Sequence, residues 1–337
     1  FDWGSVFLIA VPVLIPLLIA APLLVPESRD PNPGRIDIVS IVLSMAAMIP
    51  VVYAIKSLAV DGPSLTAGAW ALLGVAMGYL FVRRQLTAEV PMLDMGLFRR
   101  GSFSGAILVN LLSVVALVGF LYFVSQHLQL VLGLSPMMAG AALVPGMLAM
   151  IVAGLSVVPI SRRVPPHILV PVGLVFSVAG YLLVAFTTSD HGIAPLVIAF
   201  VVLGIGIGGA ETISNELILS SAPAEKAGAA SAVSETAYEL GAVLGTAVLG
   251  GLITAFYRGA LVVPVDIPAE AAHAATETLA GAYTAAQELP AQLGDALWDA
   301  ASAAFGSGVM VTSLIGAGLV VLAGVIAAVT LRKAPAH

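Results

Sequence analysis

The sequence contains no cysteine and few charged residues. Without cysteine there is no disulfide framework, no thiolate metal site and no cysteine nucleophile. Charged residues make up only 9% of the chain, whereas hydrophobic residues make up 60% and the mean hydropathy is +1.07. Soluble domains carry about 25% charged residues. The composition therefore excludes an ordinary soluble domain and predicts a polytopic membrane protein.

Motifs of several common enzyme classes are also missing from the chain. It contains no HExxH metalloprotease motif, no phosphate-binding loop and no nucleophile elbow. We therefore expect a protein that is not an enzyme, with no cofactor and no metal, and without nucleic acid among its partners.

Long apolar runs predict where the chain crosses the bilayer. A helix rises about 1.5 Å per residue, so about 20 apolar residues cross a hydrocarbon core of ~30 Å. Such runs lie at 5–25, 38–60, 67–82, 103–127, 136–160, 168–187, 194–217, 228–256 and 308–331. The predicted fold is an all-α polytopic membrane protein in which each of these runs is one span.

The positions of Lys and Arg predict the orientation of these spans. Cations follow the first, third, fifth and ninth spans and precede the eighth, whereas Lys56 and Arg258 lie elsewhere. Short cytoplasmic loops are enriched in Lys and Arg. We therefore expect a cytoplasmic C-terminus and place Phe1 on the outer side.

The most informative stretch is 224–256, an apolar segment that carries two carboxylates near its middle. Glu235 and Glu239 are four residues apart and share one helix face, with Tyr238 beside them. A helix that enters the membrane near Gly228 places both acids roughly 10 to 17 Å deep. A central acid costs about 2.5 to 3.5 kcal/mol there, so these acids are predicted to face water, carry a proton or bind a cation. Plain interhelical hydrogen bonding is the alternative.

Polar residues near the cytoplasmic ends of two other spans are further candidates. Glu211, Asn215 and Glu216 lie in the seventh span, where they either exchange protons with the inner side or belong to a hydrated helix end. Arg162 and Arg163 follow the fifth span and are either a gating latch or charges that set the topology.

Two glycine patterns predict close packing between helices. Gly204, Gly206 and Gly208 have the spacing of a dinucleotide loop, but they lie within an apolar span and lack its strand-to-helix context. Gly241 and Gly245 form a small-xxx-small pair next to the acids of the eighth span. Small residues at such positions let a second helix approach the backbone.

Two segments between spans are predicted to lie outside the membrane. Residues 83–102 are too charged to span and form an interfacial cytoplasmic connector. Residues 257–305 form a long extracellular loop, rich in alanine and acidic residues, with one or two short surface helices. Its acids either enrich cations at an outer mouth or are simply solvated.

Three motifs carry a resemblance to a known family. They are ASAVSETAYELGAVLGTAVLG at 230–250, SQHLQLVLGLSPMMAGAALVP at 125–145 and VPESRDPNPG at 25–34. Together they resemble the fourteen-helix drug:proton antiporters of the major facilitator superfamily, most closely multidrug efflux pumps of the QacA, SmvA and LfrA type. The resemblance implies a multi-pass protein of the bacterial cytoplasmic (inner) membrane.

The resemblance also implies a domain organisation. Residues 1–26 would be the last helix of an N-terminal bundle, 37–82 two inserted linker helices, 83–102 the connector and 103–331 the six-helix C-terminal bundle. Because the spans are odd in number and begin outside, we expect missing N-terminal helices of the same transporter to act as partners of this chain. A self-sufficient protein with nine spans is the alternative.

The resemblance implicates the acids of the 230–250 motif, here Glu235 and Glu239, in cation recognition and proton coupling. Elementary electrostatics points the same way, because desolvation favours a protonated carboxyl whereas an approaching cation favours the ionised form. We therefore expect protons and lipophilic cationic small molecules, such as drugs, dyes or quaternary ammonium compounds, to be exchanged across the lipid bilayer. A proton-coupled uptake symporter and a non-transporting membrane module are the alternatives.

Overall fold

The structure is a computed structural model that describes residues 8, 10–24, 37–89, 91–187, 192–223 and 226–333. Every regular element in these ranges is helical, as an all-α polytopic membrane protein requires. The chain divides into two units, Phe1–Ile36 and Asp37–His337. Each unit is therefore considered by itself.

The first unit contributes one described helix, α1, at Val11–Leu24. It is apolar throughout and contains Pro16 and Pro22. Proline is tolerated in membrane helices because neighbouring groups can satisfy the backbone carbonyls it leaves free. The remaining residues of the predicted span 5–25, apart from Leu8 and Ala10, lie outside the described residues.

The second unit contains eight helices that are long and apolar enough to cross a membrane, counted over the described residues. Each corresponds to one of the predicted spans two to nine. The α-helices of the unit are α2 Ile38–Asp61, α3 Leu65–Thr87, α4 Gly101–Gln126, α5 Pro136–Ser161, α6 Pro166–Thr187, α7 Ile193–Ser220, α8 Ala227–Leu244, α9 Gly250–Ala260, α10 Ala269–Glu277, α11 Leu279–Glu288 and α12 Ala291–Thr330. In the eight spans α8 and α9 together form one, and two further helices, α10 and α11, are short.

Two π-helical segments interrupt or extend these spans. One, His127–Val131, continues α4, and the other, Gly245–Leu249, joins α8 to α9 in a single span of 34 residues. In a π segment each backbone N–H donates to the carbonyl oxygen five residues earlier in the chain, instead of four residues earlier as in an α-helix. The second segment therefore sets how the two halves of the eighth predicted span are rotated relative to each other.

The last span begins earlier than the sequence predicts. α12 starts at Ala291 rather than at residue 308, so it includes part of the predicted loop 257–305. Leu297, Ala301 and Phe305 are buried at helical spacing along this extension, which explains why it stays helical. The Trp298 ring packs edge-on against Tyr283 of α11, with 5.3 Å between ring centroids.

We call α10, α11 and residues 291–305 of α12 the helical cap. The two short helices α10 and α11 match the one or two surface helices predicted for this segment. The hydroxyl of Tyr257 in α9 donates to the carbonyl oxygen of Ala275 in α10, at 2.6 Å. Because both groups are buried, this bond fixes the cap to the end of the membrane span.

Glycines of α7 allow its two neighbours to approach closely. A Cβ on Gly204 would lie 2.7 Å from the Gly146 carbonyl oxygen of α5, and one on Gly206 only 2.4 Å from the Gly173 carbonyl oxygen of α6. Neither position can carry a side chain without moving a backbone. The prediction that this glycine pattern serves helix packing is therefore confirmed.

The α2–α3 pair is held together at the end where α2 begins. Asp37 caps α2 by accepting a bond from the Ser40 amide, at 3.1 Å, and its Oδ1 lies 2.9 Å from Nη2 of Arg84 in α3. The hydrogen-bonded Arg84 guanidinium, helped by Ser40, holds the pKa of Asp37 well below its usual range. The pair packs closely on itself and contacts α8 much less extensively.

Candidate functional site

Three helices carry polar residues at similar distances from their ends. From the start of α4, Asn110 lies about 14 Å along the helix, and Glu211 lies about 14 Å from the end of α7 on the same side. Tyr238 lies about 17 Å from the start of α8. Because all three helices are long enough to span and apolar on average, this coincidence of depth marks a polar layer within them.

Hydrogen bonds join the residues of this layer into a network. The Asn110 amide donates to the Ser234 hydroxyl at 3.4 Å, and that hydroxyl donates to Oδ1 of Asn215 at 3.0 Å. The Tyr238 hydroxyl interacts with the side chains of both Asn110 and Glu211. The network therefore links α4, α7 and α8 through side chains alone.

Glu211 is the acid of this network, and its side chain is half-buried. Its Oε1 is buried and has no hydrogen-bond partner among the described residues. It lines a cavity of about 420 Å³ together with Asn215 and Tyr238, opposite Met150 and Leu155 of α5. A buried carboxylate oxygen without a partner is unfavourable unless a proton or a ligand reaches it. The cavity gives such a group a place to bind.

Glu235 and Glu239 lie on a different face of α8. Both are exposed, as is Ser231 one turn before them, and neither acid lines the cavity beside Glu211. They lie about 12 and 18 Å from the start of the helix, within the membrane-spanning length. Glu235 is close enough to Tyr238 to interact with it electrostatically.

The predicted site residues thus separate into a network and an open face. Glu211, Asn215 and Tyr238 come together, whereas Glu235 and Glu239 form the open face, and Glu216 is half-buried one residue after Asn215. Arg162 and Arg163 are exposed in the turn that ends α5. Their proposed gating role remains a prediction.

Sequence reasoning missed Asn110 and Ser234, which complete the network. Both are buried, with 0% and 3% of their surface exposed. Asn110 is the one amide in the middle of the predicted span 103–127, whose other amide, Gln126, lies at its end, and amides within such helices usually bond across helix interfaces. The sequence therefore contained a signal for Asn110, whereas Ser234 has no feature that distinguishes it from other small residues of α8.

The small-xxx-small prediction on α8 is confirmed by its contact with α4. A Cβ on Gly241 would lie 2.8 Å from Cβ of Val114, and one on Gly245 would lie 2.7 Å from the Val115 carbonyl oxygen. The glycines therefore bring α8 against the α4 backbone beside the polar layer. This close approach is what lets the short Ser234 side chain reach Asn110.

Comparison with known proteins decides the family. The family model of the Major Facilitator Superfamily matches residues 1–246. The chain belongs to the Major Facilitator Superfamily. This major facilitator chain is 50% identical to the multidrug efflux pump LfrA of Mycolicibacterium smegmatis, over 99% of the chain and 66% of that protein.

Two further relatives are similar over most of the chain. The methyl viologen resistance protein SmvA of Salmonella typhimurium is 31% identical over 90% of the chain and 62% of its own length. The tetracenomycin C resistance and export protein of Streptomyces glaucescens is 30% identical over 99% of the chain and 64% of its own length. The chain thus spans just under two thirds of the length of these three relatives.

These comparisons confirm the resemblance to drug-efflux transporters and the predicted fold class. The major facilitator chain is a multi-pass membrane protein of a transporter family rather than of an enzyme family. The assignment of individual helices to the bundles of the family remains a prediction.

Proposed function

We propose that this protein takes part in exporting lipophilic cations in exchange for protons. The observation that carries the proposal is the presence of carboxylates at one depth on two adjoining helices. Glu211 lies beside a cavity within the polar network, and Glu235 and Glu239 lie on the open face of α8. The names of the relatives, which include multidrug efflux and methyl viologen resistance, support the same class of substrate.

The open face supports a water-filled path along α8. An ionised carboxylate facing hydrocarbon at this depth is strongly unfavourable, so acids in membrane spans usually face an aqueous cavity or a partner. Glu235 and Glu239 are exposed and lie in line on one face. The simplest role for Glu235 and Glu239 is to attract cations from such a path.

Competition between a proton and a cation then provides the coupling. A protonated carboxyl has no charge with which to hold a cation, and a bound cation keeps the carboxylate ionised. The ring of Tyr238, between the open face and Glu211, can contact a cation through its π face. Inward protons can drive the export, since each charge that crosses 100 mV yields about 2.3 kcal/mol.

The proposed orientation places the C-terminus in the cytoplasm of a bacterial cell. Arg83, Arg84, Arg99, Arg100 and Arg332 all lie at helix ends on that side of the second unit. The positive-inside rule assigns this side to the cytoplasm. The start of α8 is on the same side, so the acids would be reached through the cytoplasmic half of the membrane.

Transport of a fluorescent cation in inverted membrane vesicles tests the proposal. The vesicles would contain the full-length protein. With an acidic lumen, we expect ethidium to accumulate and to be released when nigericin collapses the gradient. The Glu239→Gln variant should abolish accumulation, whereas Glu288→Gln, on the exposed end of α11, should retain it.

Other outcomes would overturn the proposal. Accumulation that requires an alkaline lumen would identify an uptake symporter, because the proton and the cation would then move in the same direction. No accumulation with either gradient, despite a correctly inserted protein, would identify a non-transporting membrane module.

A further inference from the structure

A second, larger cavity lies away from the polar network. It has a volume of about 730 Å³ and is enclosed by α2 and α3 on one side and α4 and α8 on the other. Its walls include Met48, Phe81, Leu111 and Leu240, one residue from each of these helices. The walls are almost wholly apolar, so the cavity suits a hydrocarbon ligand better than water.

Small residues of α8 keep this cavity open. Gly228, Ala229 and Ala232 lie along the wall that α8 contributes. A Cβ on Gly228 would meet nothing within 4 Å, so no neighbouring side chain fills the space. The limited contact between α8 and the α2–α3 pair thus leaves a crevice rather than a packed interface.

One end of the cavity carries a positive charge. Lys226 is the one charged side chain among the described residues that line it. Its amine donates to the carbonyl oxygen of Pro91 at 3.0 Å, and a neutral carbonyl does not cancel its charge. Arg100 donates to the carbonyl oxygen of Ser221, in the same α7–α8 connection, at 2.8 Å. Both cations lie at helix ends, the level of lipid headgroups.

We propose that this cavity binds an anionic phospholipid, with one acyl chain between α2 and α8 and the phosphate at Lys226. The apolar walls and the volume of about 730 Å³ suit the chain, and the cation at the end of the cavity suits the headgroup. Basic pockets between membrane helices at the cytoplasmic surface bind anionic lipid headgroups by this combination. A cationic transport substrate fits poorly, because it would meet Lys226 and no carboxylate of the described lining.

The site is independent of the proposed transport mechanism. None of Glu211, Glu235, Glu239 and Tyr238 lines it, so their substitution should leave lipid binding unchanged. A bound lipid would fill the crevice between the α2–α3 pair and the helix that carries the acids. It would thereby stabilise the position of the pair against the rest of the unit.

Lipid binding to the purified full chain tests the inference. Delipidated protein would be titrated with phosphatidylglycerol and with phosphatidylcholine of identical acyl chains, and bound lipid measured by native mass spectrometry. We expect phosphatidylglycerol to bind more tightly, and Lys226→Gln to weaken it by about fivefold, the contribution of one cation near a lipid surface. Phosphatidylcholine binding should not change in that variant.

A matched pair of variants tests the acyl-chain part of the site. Ala232→Phe places a ring in the cavity, whereas Ser231→Phe, at the neighbouring exposed residue, places the same ring at a position that does not line it. We expect the first to weaken both lipids and the second to weaken neither. Gly228→Leu provides a second way to fill the cavity if the first variant does not fold.

Three results would overturn the inference. Equal binding of the two lipids to the unmodified chain would show that the headgroup is not recognised. Unchanged binding in a folded Ala232→Phe or Gly228→Leu variant would show that the chain lies elsewhere. Displacement of phosphatidylglycerol by tetraphenylphosphonium, with binding of that cation unaffected by Lys226→Gln, would assign the cavity to a cationic ligand.

Discussion

Two faces of α8 follow opposite physical rules. The face toward α4 carries Ser234 and Gly241, continues to Gly245 in the π segment and is buried, and at the two glycines a single added methyl group would collide with α4. The face with Glu235 and Glu239 is exposed and carries charge. Tyr238 lies between them and interacts with Asn110 of α4, Glu211 of α7 and Glu235 of the open face. One helix thus combines a closely packed attachment with an open, charged surface.

The contrast between the packed and the open face of α8 indicates how an acid can be both accessible and well positioned. Close packing at the glycines fixes α8 in place, because interiors at this density transmit displacements rather than absorbing them. The carboxylates then hold their position without being enclosed. Changes to the two faces should therefore affect separate properties, stability on one side and cation binding on the other.

The largest effect is expected on the open face. Replacing both Glu235 and Glu239 by Gln should weaken tetraphenylphosphonium binding at least about tenfold, equivalent to about 1.4 kcal/mol, because the neutral amides no longer attract the cation. Titration of the protein in lipid nanodiscs with the cation measures the affinity. The Glu288→Gln variant is the control, and unchanged affinity in the double variant would refute the role of this face.

A smaller effect is expected on the packed face. Gly245→Ala adds a Cβ that would lie 2.7 Å from the Val115 carbonyl oxygen, whereas the same change at Gly228 meets nothing within 4 Å. Overpacking costs roughly 1 to 3 kcal/mol, and a single added methyl group is expected at the lower end of that range. We expect the Gly245 variant to unfold at lower temperature and the Gly228 variant to be unchanged or more stable. Equal thermal midpoints would contradict the close contact of α8 with α4.

The smallest effect is expected at the boundary between the faces. Tyr238→Phe removes the hydroxyl that interacts with Asn110 and Glu211 and keeps the ring. A lost hydrogen bond costs about 0.5 to 1.5 kcal/mol, so a modest fall in thermal stability and a few-fold weaker cation binding are expected. The pH dependence of binding should persist, because all three acids remain. Its complete loss would instead assign the proton-sensitive step to the hydroxyl.

Much of the fold is predictable from the sequence because the bilayer imposes simple rules. Apolar length identified eight of the nine spans to within a few residues at most ends, and glycine spacing on α7 and α8 identified their close contacts. Apolar length and glycine spacing can both be read from a short stretch of sequence. The early start of α12 was not predictable from hydropathy, because its first turns are stabilised by contacts such as Trp298 with Tyr283.

The site was predictable only in part for a related reason. Acids in an apolar helix stand out in any sequence, so Glu211, Glu235 and Glu239 were identified directly. The bond from Asn110 to Ser234 joins residues that are 124 positions apart. Predicting it requires knowing which faces of α4 and α8 meet, and that depends on the packing of the whole unit.

The π segment Gly245–Leu249 has one further consequence. It sets the angular phase between the half of the span that carries Glu239 and the half whose Tyr257 is bonded to the helical cap. Deleting one residue there would turn Tyr257 by about 100° around the helix axis. The acids would stay where they are, whereas the cap would lose its hydrogen bond to Tyr257. This short stretch therefore sets the orientation of the cap relative to the acids.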